Sequence, residues 1–266
     1  MNIFLVVMAV FIVIFLKLDT QETRRGALIH GIRISNLFIG FQTIMLNAMN
    51  FPDLGRDAPG SIVFFLRTPP ETPSTSSKSF SDAVCAVSKF DKSVFHVGLL
   101  TDSDTLIHAT CDFGVVKQSL EDAVLALEPT ALEFYTASVS PQRRRKAIKF
   151  AKQCVGAAYN DVFDPLCFDS VGRKAFYCCQ LVATAYGRHL FPPHRLIFSD
   201  SEGKLIPYWV KYFEKRGRLV PEGAPGSHPS VIRAASILTF RAAWNFLAVK
   251  SRMPRNLVDR VVCIRG

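Results

Sequence analysis

Between residues 58 and 140 the apolar positions fall into short runs bounded by Gly, Pro, Asp and Ser, the signature of strands. Runs at 62–66, 93–100 and 104–110 are rich in Val, Ile, Leu and Phe, and the last two flank the polar turn Thr101-Asp102-Ser103-Asp104. A hairpin with its turn there sets His96 and His108, six positions either side of Asp102, opposite each other on one face of the sheet. Gly114-Val115-Val116 and Phe134-Tyr135-Thr136-Ala137 add further strands. The spacing changes to a helical one over 80–88, after the cap-and-proline signal Ser140-Pro141, and from Tyr177 or Cys178 onward, where Leu181, Val182, Ala185 and Leu190 bury one face. These elements predict an α+β fold, a small antiparallel sheet packed by helices.

Outside that block the pattern differs. Met1 to Leu16 is an uncharged apolar run, short for a membrane span and within the range of a signal segment. It reads as an uncleaved anchor, a removed signal or a buried core helix, with the anchor preferred because neither a basic leader nor a small-residue cleavage site is visible. Lys17, Arg24, Arg25 and Arg33 follow it and favour the cytoplasmic side for the rest of the chain. Residues 32–49 repeat apolar positions at helical spacing (Ile34, Leu37, Phe38, Phe41, Met45, Met49) up to a break at Phe51-Pro52. Residues 68–79 are too rich in Pro, Ser and Thr to fold alone, and read as a surface insertion or a lid. The organisation that follows is a hydrophobic anchor or signal at 1–18, an amphipathic helical connector at 19–57, a globular domain at 58–220 and a basic extension at 221–266.

Charge sharpens the last of these. The 266 residues carry a formal net charge of +10, and positions 207–266 hold eleven Lys or Arg against three Asp or Glu. The apolar stretch 231–249, interrupted by Arg233, Arg241 and Asn245, reads as a helix lying in a membrane interface, or as a surface helix of the domain. Nucleic acid is the least supported partner, since no aromatic-basic recognition motif accompanies the charge. Arg143, Arg144, Arg145 and Lys146 crowd a helix's first turn, where cations oppose the dipole; the reading is a solvated face, with an anion or lipid-headgroup site as the alternative.

Of seven cysteines, Cys85, Cys111, Cys154, Cys167 and Cys263 show neither disulfide rhythm nor zinc spacing, which points to a reducing compartment, and no metal and no cofactor are expected. Most cysteines are inert small hydrophobes. Cys178 differs by standing at a predicted helix start, where free N–H groups and the dipole favour a thiolate. His96 can take its proton and His108 can orient His96, the arrangement of a thiol nucleophile with its base. Cys178-Cys179 as a redox pair is the weaker reading, because a vicinal disulfide strains the intervening peptide. Tyr177 either donates into the site or packs beneath the helix, and Tyr159 and Asn160, in the turn after Gly156, wall the pocket as substrate-binding candidates. His30, His189, His194 and His228 lack partners at catalytic spacing and read as surface or structural.

Pro59-Gly60-Ser61-Ile62-Val63-Phe64, Phe95-His96-Val97-Gly98, Ile107-His108-Ala109-Thr110, Gly156-Ala157-Ala158-Tyr159-Asn160 and Tyr177-Cys178-Cys179-Gln180-Leu181-Val182 stand in an order that resembles the circularly permuted papain-like hydrolases of the NlpC-type superfamily. Within it the chain looks most like the YiiX/YebB-like branch and, more distantly, the lecithin:retinol acyltransferase-like enzymes. The branch has serine and glutamate after the cysteine, where Cys179 and Gln180 stand here, and Gly-Asp where Gly60-Ser61 stand. The resemblance implies a permuted papain-like fold and a membrane-associated cysteine hydrolase or acyltransferase. Its substrate would be a peptide, amide or acyl lipid, attacked by Cys178 with His96 and His108. The competing class is a membrane-associated binding or scaffold protein that keeps the fold without turnover.

Overall fold

Every residue of strand β1 (Ile62–Leu66) and of strand β2 (Val94–Leu100) is buried, the mark of strands covered on both faces. They are the middle of a six-stranded antiparallel sheet in the order β4-β3-β2-β1-β5-β8, completed by β3 (Thr105–Thr110), β4 (Gly114–Ser119), β5 (Ala131–Ala137) and β8 (Leu238–Asn245). The structure is a computed structural model and describes residues 51–68 and 79–245. The apolar run at 1–18, the helix expected at 32–49 and most of the Pro/Ser/Thr-rich stretch lie outside those residues. Among the described residues no helix is long and apolar enough to cross a membrane.

The helices are α1 (Phe80–Ala86), α2 (Leu120–Leu127), α3 (Pro141–Cys154), α4 (Cys178–Tyr186), α5 (Pro207–Glu214) and α6 (Pro229–Arg233). Capping follows the sequence: Ser79, Ser119 and Ser140 accept the N–H three residues on, and proline opens α3, α5 and α6. Helix α4 packs against α3 and onto β2 and β3, and α1 and α6 pack against β2. Two side chains crowded into the first turn of α3 have partners elsewhere. Arg143 donates to the Tyr186 carbonyl at the C-terminal end of α4, where a cation suits the dipole, and Arg144 pairs with Asp57.

The C-terminal stretch corrects the sequence reading. Within the described part of the interfacial helix expected over 231–249, residues up to 245 instead form the end of the short α6 and then the edge strand β8, paired with β5 from Ala137↔Leu238 to Ala131↔Asn245. Leu238, Phe240, Ala242 and Trp244 recur every second residue, a strand period that pairing with β5 turns into a ladder. The arginines assigned to lipid are committed to protein carboxylates: Arg233 to both oxygens of Glu133 and to Asp91, and Arg241 to Asp57. The compact unit therefore runs Phe51–Asn245, past the boundary expected at residue 220.

Candidate active site

The β2–β3 turn is built by Asp102, whose Oδ1 accepts the Thr105 N–H at 2.8 Å, while the Thr101 N–H donates to the Thr105 carbonyl at 2.8 Å. This sets the register at Leu99↔Ile107 and Leu100↔Leu106, two residues away from the one that would put His96 opposite His108. A shift of two leaves both side chains on the same face, so the histidines are diagonal neighbours. His96 Nε2 and His108 Nδ1 are 2.8 Å apart. Gly98 makes the approach possible: a Cβ there would lie 2.7 Å from Leu106 Cδ1 and 3.1 Å from His108 Cβ. Phe65 completes the setting, edge-on to His96 and stacked on His108.

His108 is wholly buried. Burial, reinforced by the neighbouring His96, pulls its pKa down to about 3, against which a hydrogen bond with Gln118 acts only in part. His108 is thus a neutral ring at ordinary pH, able to accept through Nδ1 while its proton stays on Nε2. That tautomer suits a His96 that donates through Nε2.

Cys178 is the first residue of α4, and its N-cap Tyr177 is extended and supplies no side-chain cap. The first-turn N–H groups are therefore left for another acceptor. Cys179 Sγ lies 3.7 Å from Cys178 Sγ, and the hydrogen bond between them is the first cause of a Cys178 pKa well below the ordinary thiol value; against the opposing effect of burial, the His96 ring and the Val97 N–H lower it further. His96 Nε2 is engaged by His108.

Cys178 and Cys179 line a cavity of about 630 Å³. Its interior is apolar and aromatic, with Val84, Phe95, Phe163, Phe198 and Trp209 among the walls, and Lys89, His194, Arg195 and Glu222 are exposed at its rim. Trp209 is held by a hydrogen bond to the Ala83 carbonyl, and the short pairing of β6 (His194–Arg195) with β7 (Pro225–Gly226) frames one side. Glu222 is already engaged by the Phe198 N–H and the Ser199 hydroxyl.

The other sequence candidates separate. Tyr177 packs on Phe163 and accepts the Ser227 N–H through its hydroxyl, so it forms cavity wall. Tyr159 also lines the cavity, with a side-chain hydrogen bond to Cys111. Asn160 does not line it: fully buried, its amide joins the Asp164 backbone to Gln180, and Gln180 in turn donates to the Asp164 carbonyl. This bracket needs an amide at position 180, since the side chain both accepts and donates. His228, read from sequence as surface or structural, lies in the cavity wall and electrostatically within reach of Cys178. Its ring is fixed by the Val84 carbonyl on Nε2 and by Ser230 on Nδ1, and it caps α6. His228-Pro229, a cap residue before a first-turn proline, is the signal that could have marked it.

No protein-family model and no curated protein sequence matches this chain. In fold the chain is similar to the crystal structure of yiiX from Escherichia coli O157:H7, described as a metalloprotein. The identity is 17%, the TM-score 0.52, and the match covers 71% of this chain and 98% of that one.

Proposed function

We propose that this protein is a thiol hydrolase or acyltransferase of the permuted papain-like kind, acting on an amide or ester whose acyl group is apolar. The observation that carries the reading is the convergence of three features: a thiol at an uncapped helix start, a histidine pair 2.8 Å apart beside it, and an apolar cavity in front of it. His96 takes the Cys178 proton on Nδ1 and, now cationic, donates Nε2–H to the neutral His108. The thiolate attacks the carbonyl carbon. The oxyanion that forms is met by the free N–H groups of the first turn of α4. Collapse expels the alcohol or amine with the proton from His96 and leaves a Cys178 thioester, which water or a second acceptor resolves. The cavity volume is within the roughly 300–1,000 Å³ of small-molecule sites, and its lining favours a hydrocarbon chain over a polar peptide side chain. A lipid-derived substrate would also accord with a membrane anchor at residues 1–18.

The yiiX protein is described as a metalloprotein. Here the residues do not fit a metal: His96 Nε2 and His108 Nδ1 face one another at hydrogen-bond distance, and among the described residues no three His, Cys, Asp or Glu side chains could hold an ion together.

The test is acylation by 4-nitrophenyl esters of short and long fatty acids, followed by nitrophenol release and by mass spectrometry of the protein. The expected result is one acyl adduct, on Cys178, formed faster from the longer chain and lost in Cys178→Ala and His96→Ala. Adducts spread over several cysteines, or acylation indifferent to His96, would favour a scaffold that keeps the fold without turnover.

A further inference from the structure

Cys179 stands next to the nucleophile in sequence and beside it in space. Its Sγ is 3.7 Å from Cys178 Sγ, it is 1% exposed, and that contact is its side-chain hydrogen bond. Two thiols so close in a buried site cannot both ionise, because like charges there repel strongly. The one that ionises is settled by position. Cys178 has the His96 ring, the Val97 N–H and the start of α4 around it, whereas Cys179 is enclosed, and both burial and its neighbour's charge push its own ionisation up. A protonated thiol therefore remains in contact with a thiolate, and an S–H, weak donor though it is, gains strength when the acceptor is charged and the surroundings are dry.

We infer that Cys179 is a positioning residue that keeps its proton and donates its S–H to the Cys178 thiolate, holding the nucleophile ionised before substrate arrives. The inference rests on the reading of Cys178 as the nucleophile. The other titratable groups facing Cys178 do not replace that donor. His96 from β2 is the base itself. His228 from α6 has both ring nitrogens occupied by Val84 and Ser230. The Tyr177 hydroxyl is directed at the Ser227 N–H, and Tyr159 is engaged with Cys111. A serine hydroxyl at position 179 could do the same work.

The measurement is the rate of iodoacetamide alkylation at each cysteine of the full chain, resolved by mass spectrometry across a pH series under reducing conditions. Wild type, Cys179→Ala, Cys179→Val and Cys179→Ser are compared. Cys179→Ala and Cys179→Val should raise the midpoint of Cys178 alkylation by about one pH unit, making the reaction about tenfold slower at a pH below the midpoint. Cys179→Ser should return it most of the way. Valine fills the volume without a donor, so if alanine leaves a chain that does not fold, the valine and serine variants decide. A midpoint unmoved in Cys179→Val, or moved as far in Cys179→Ser as in Cys179→Val, overturns the inference while leaving a fast-reacting Cys178 in place. A wild-type Cys178 no faster than the other thiols would defeat the nucleophile reading itself, and this inference with it.

Discussion

Burial of His108 makes the fold sensitive to acid in a way that can be counted in protons. The ring ionises at about 3 in the folded chain against 6.5 for an unperturbed histidine, with burial as the first cause and His96 as the second. The folded value is the lower one, so between the two pH values the unfolded chain binds a proton that the folded chain refuses. Stability is accordingly full above 6.5 and is lost as pH falls toward 3. Each pH unit within that window costs about 1.4 kcal/mol, so a fall from 6.5 to 5 removes about 2 kcal/mol, a sizeable part of a typical domain's ~5–15 kcal/mol. The perturbation that isolates this group is His108→Asn, whose amide oxygen can stand where Nδ1 stands and accept from His96, and which does not titrate. Urea unfolding of both proteins should be followed at several pH values through the window. The wild-type slope of unfolding free energy against pH should exceed that of the variant by about one proton, or about 1.4 kcal/mol per unit. His228, also held neutral by burial, contributes to both proteins and cancels. Equal slopes would mean that His108 is protonated in the folded chain, and the tautomer argument for His96 would fall.

Three further substitutions test the scaffold. Gly98→Ala places a methyl 2.7 Å from Leu106 Cδ1 and 3.1 Å from His108 Cβ; it should cost about 1–3 kcal/mol by overpacking and slow Cys178 alkylation by displacing the His108 ring, and a stable, fully reactive variant would contradict the packing described. Gln180→Glu removes the donor to the Asp164 carbonyl and introduces a buried carboxylate, with an expected loss of about 2–4 kcal/mol at neutral pH that shrinks in acid, read by denaturant titration. Arg233→Met leaves Glu133 and Asp91 without their cation; these are partly solvated, so a loss of about 1–3 kcal/mol is expected, and hydrogen exchange should show α6 and the His228 network loosening together.

Much of the site could be read from residues alone, and the failures have local causes. The strands around His96 and His108 announce themselves by composition, and the helix start at Cys178 by the turn before it. The face shared by the two histidines follows from period-two geometry, but their register does not. It depends on which backbone groups the Asp102 carboxylate engages, a choice among Thr101, Ser103, Asp104 and Thr105 that no spacing reveals. The stretch 238–245 reads as helix because its alanines and arginine fit a helix as well as a strand. What decides is β5, a hundred residues earlier, offering an unpaired edge. Arg143 and Arg144 looked unfavourable where they stand because their partners, the end of α4 and Asp57, are distant in sequence. Asn160 looked like pocket wall because a turn near a site usually is one; its amide is instead turned inward to Gln180 and Asp164.

The central claim is that Cys178 is an ionised nucleophile served by His96. It is tested most directly by the pH dependence of Cys178 alkylation in wild type and in His96→Gln, measured peptide by peptide beside the other cysteines. The account predicts that wild-type Cys178 reacts well below the ordinary thiol range, ahead of every other cysteine, and that His96→Gln moves its midpoint upward and removes that lead. Alkylation of Cys178 that follows the same curve with and without His96, or that trails the exposed Cys111 throughout, would contradict it.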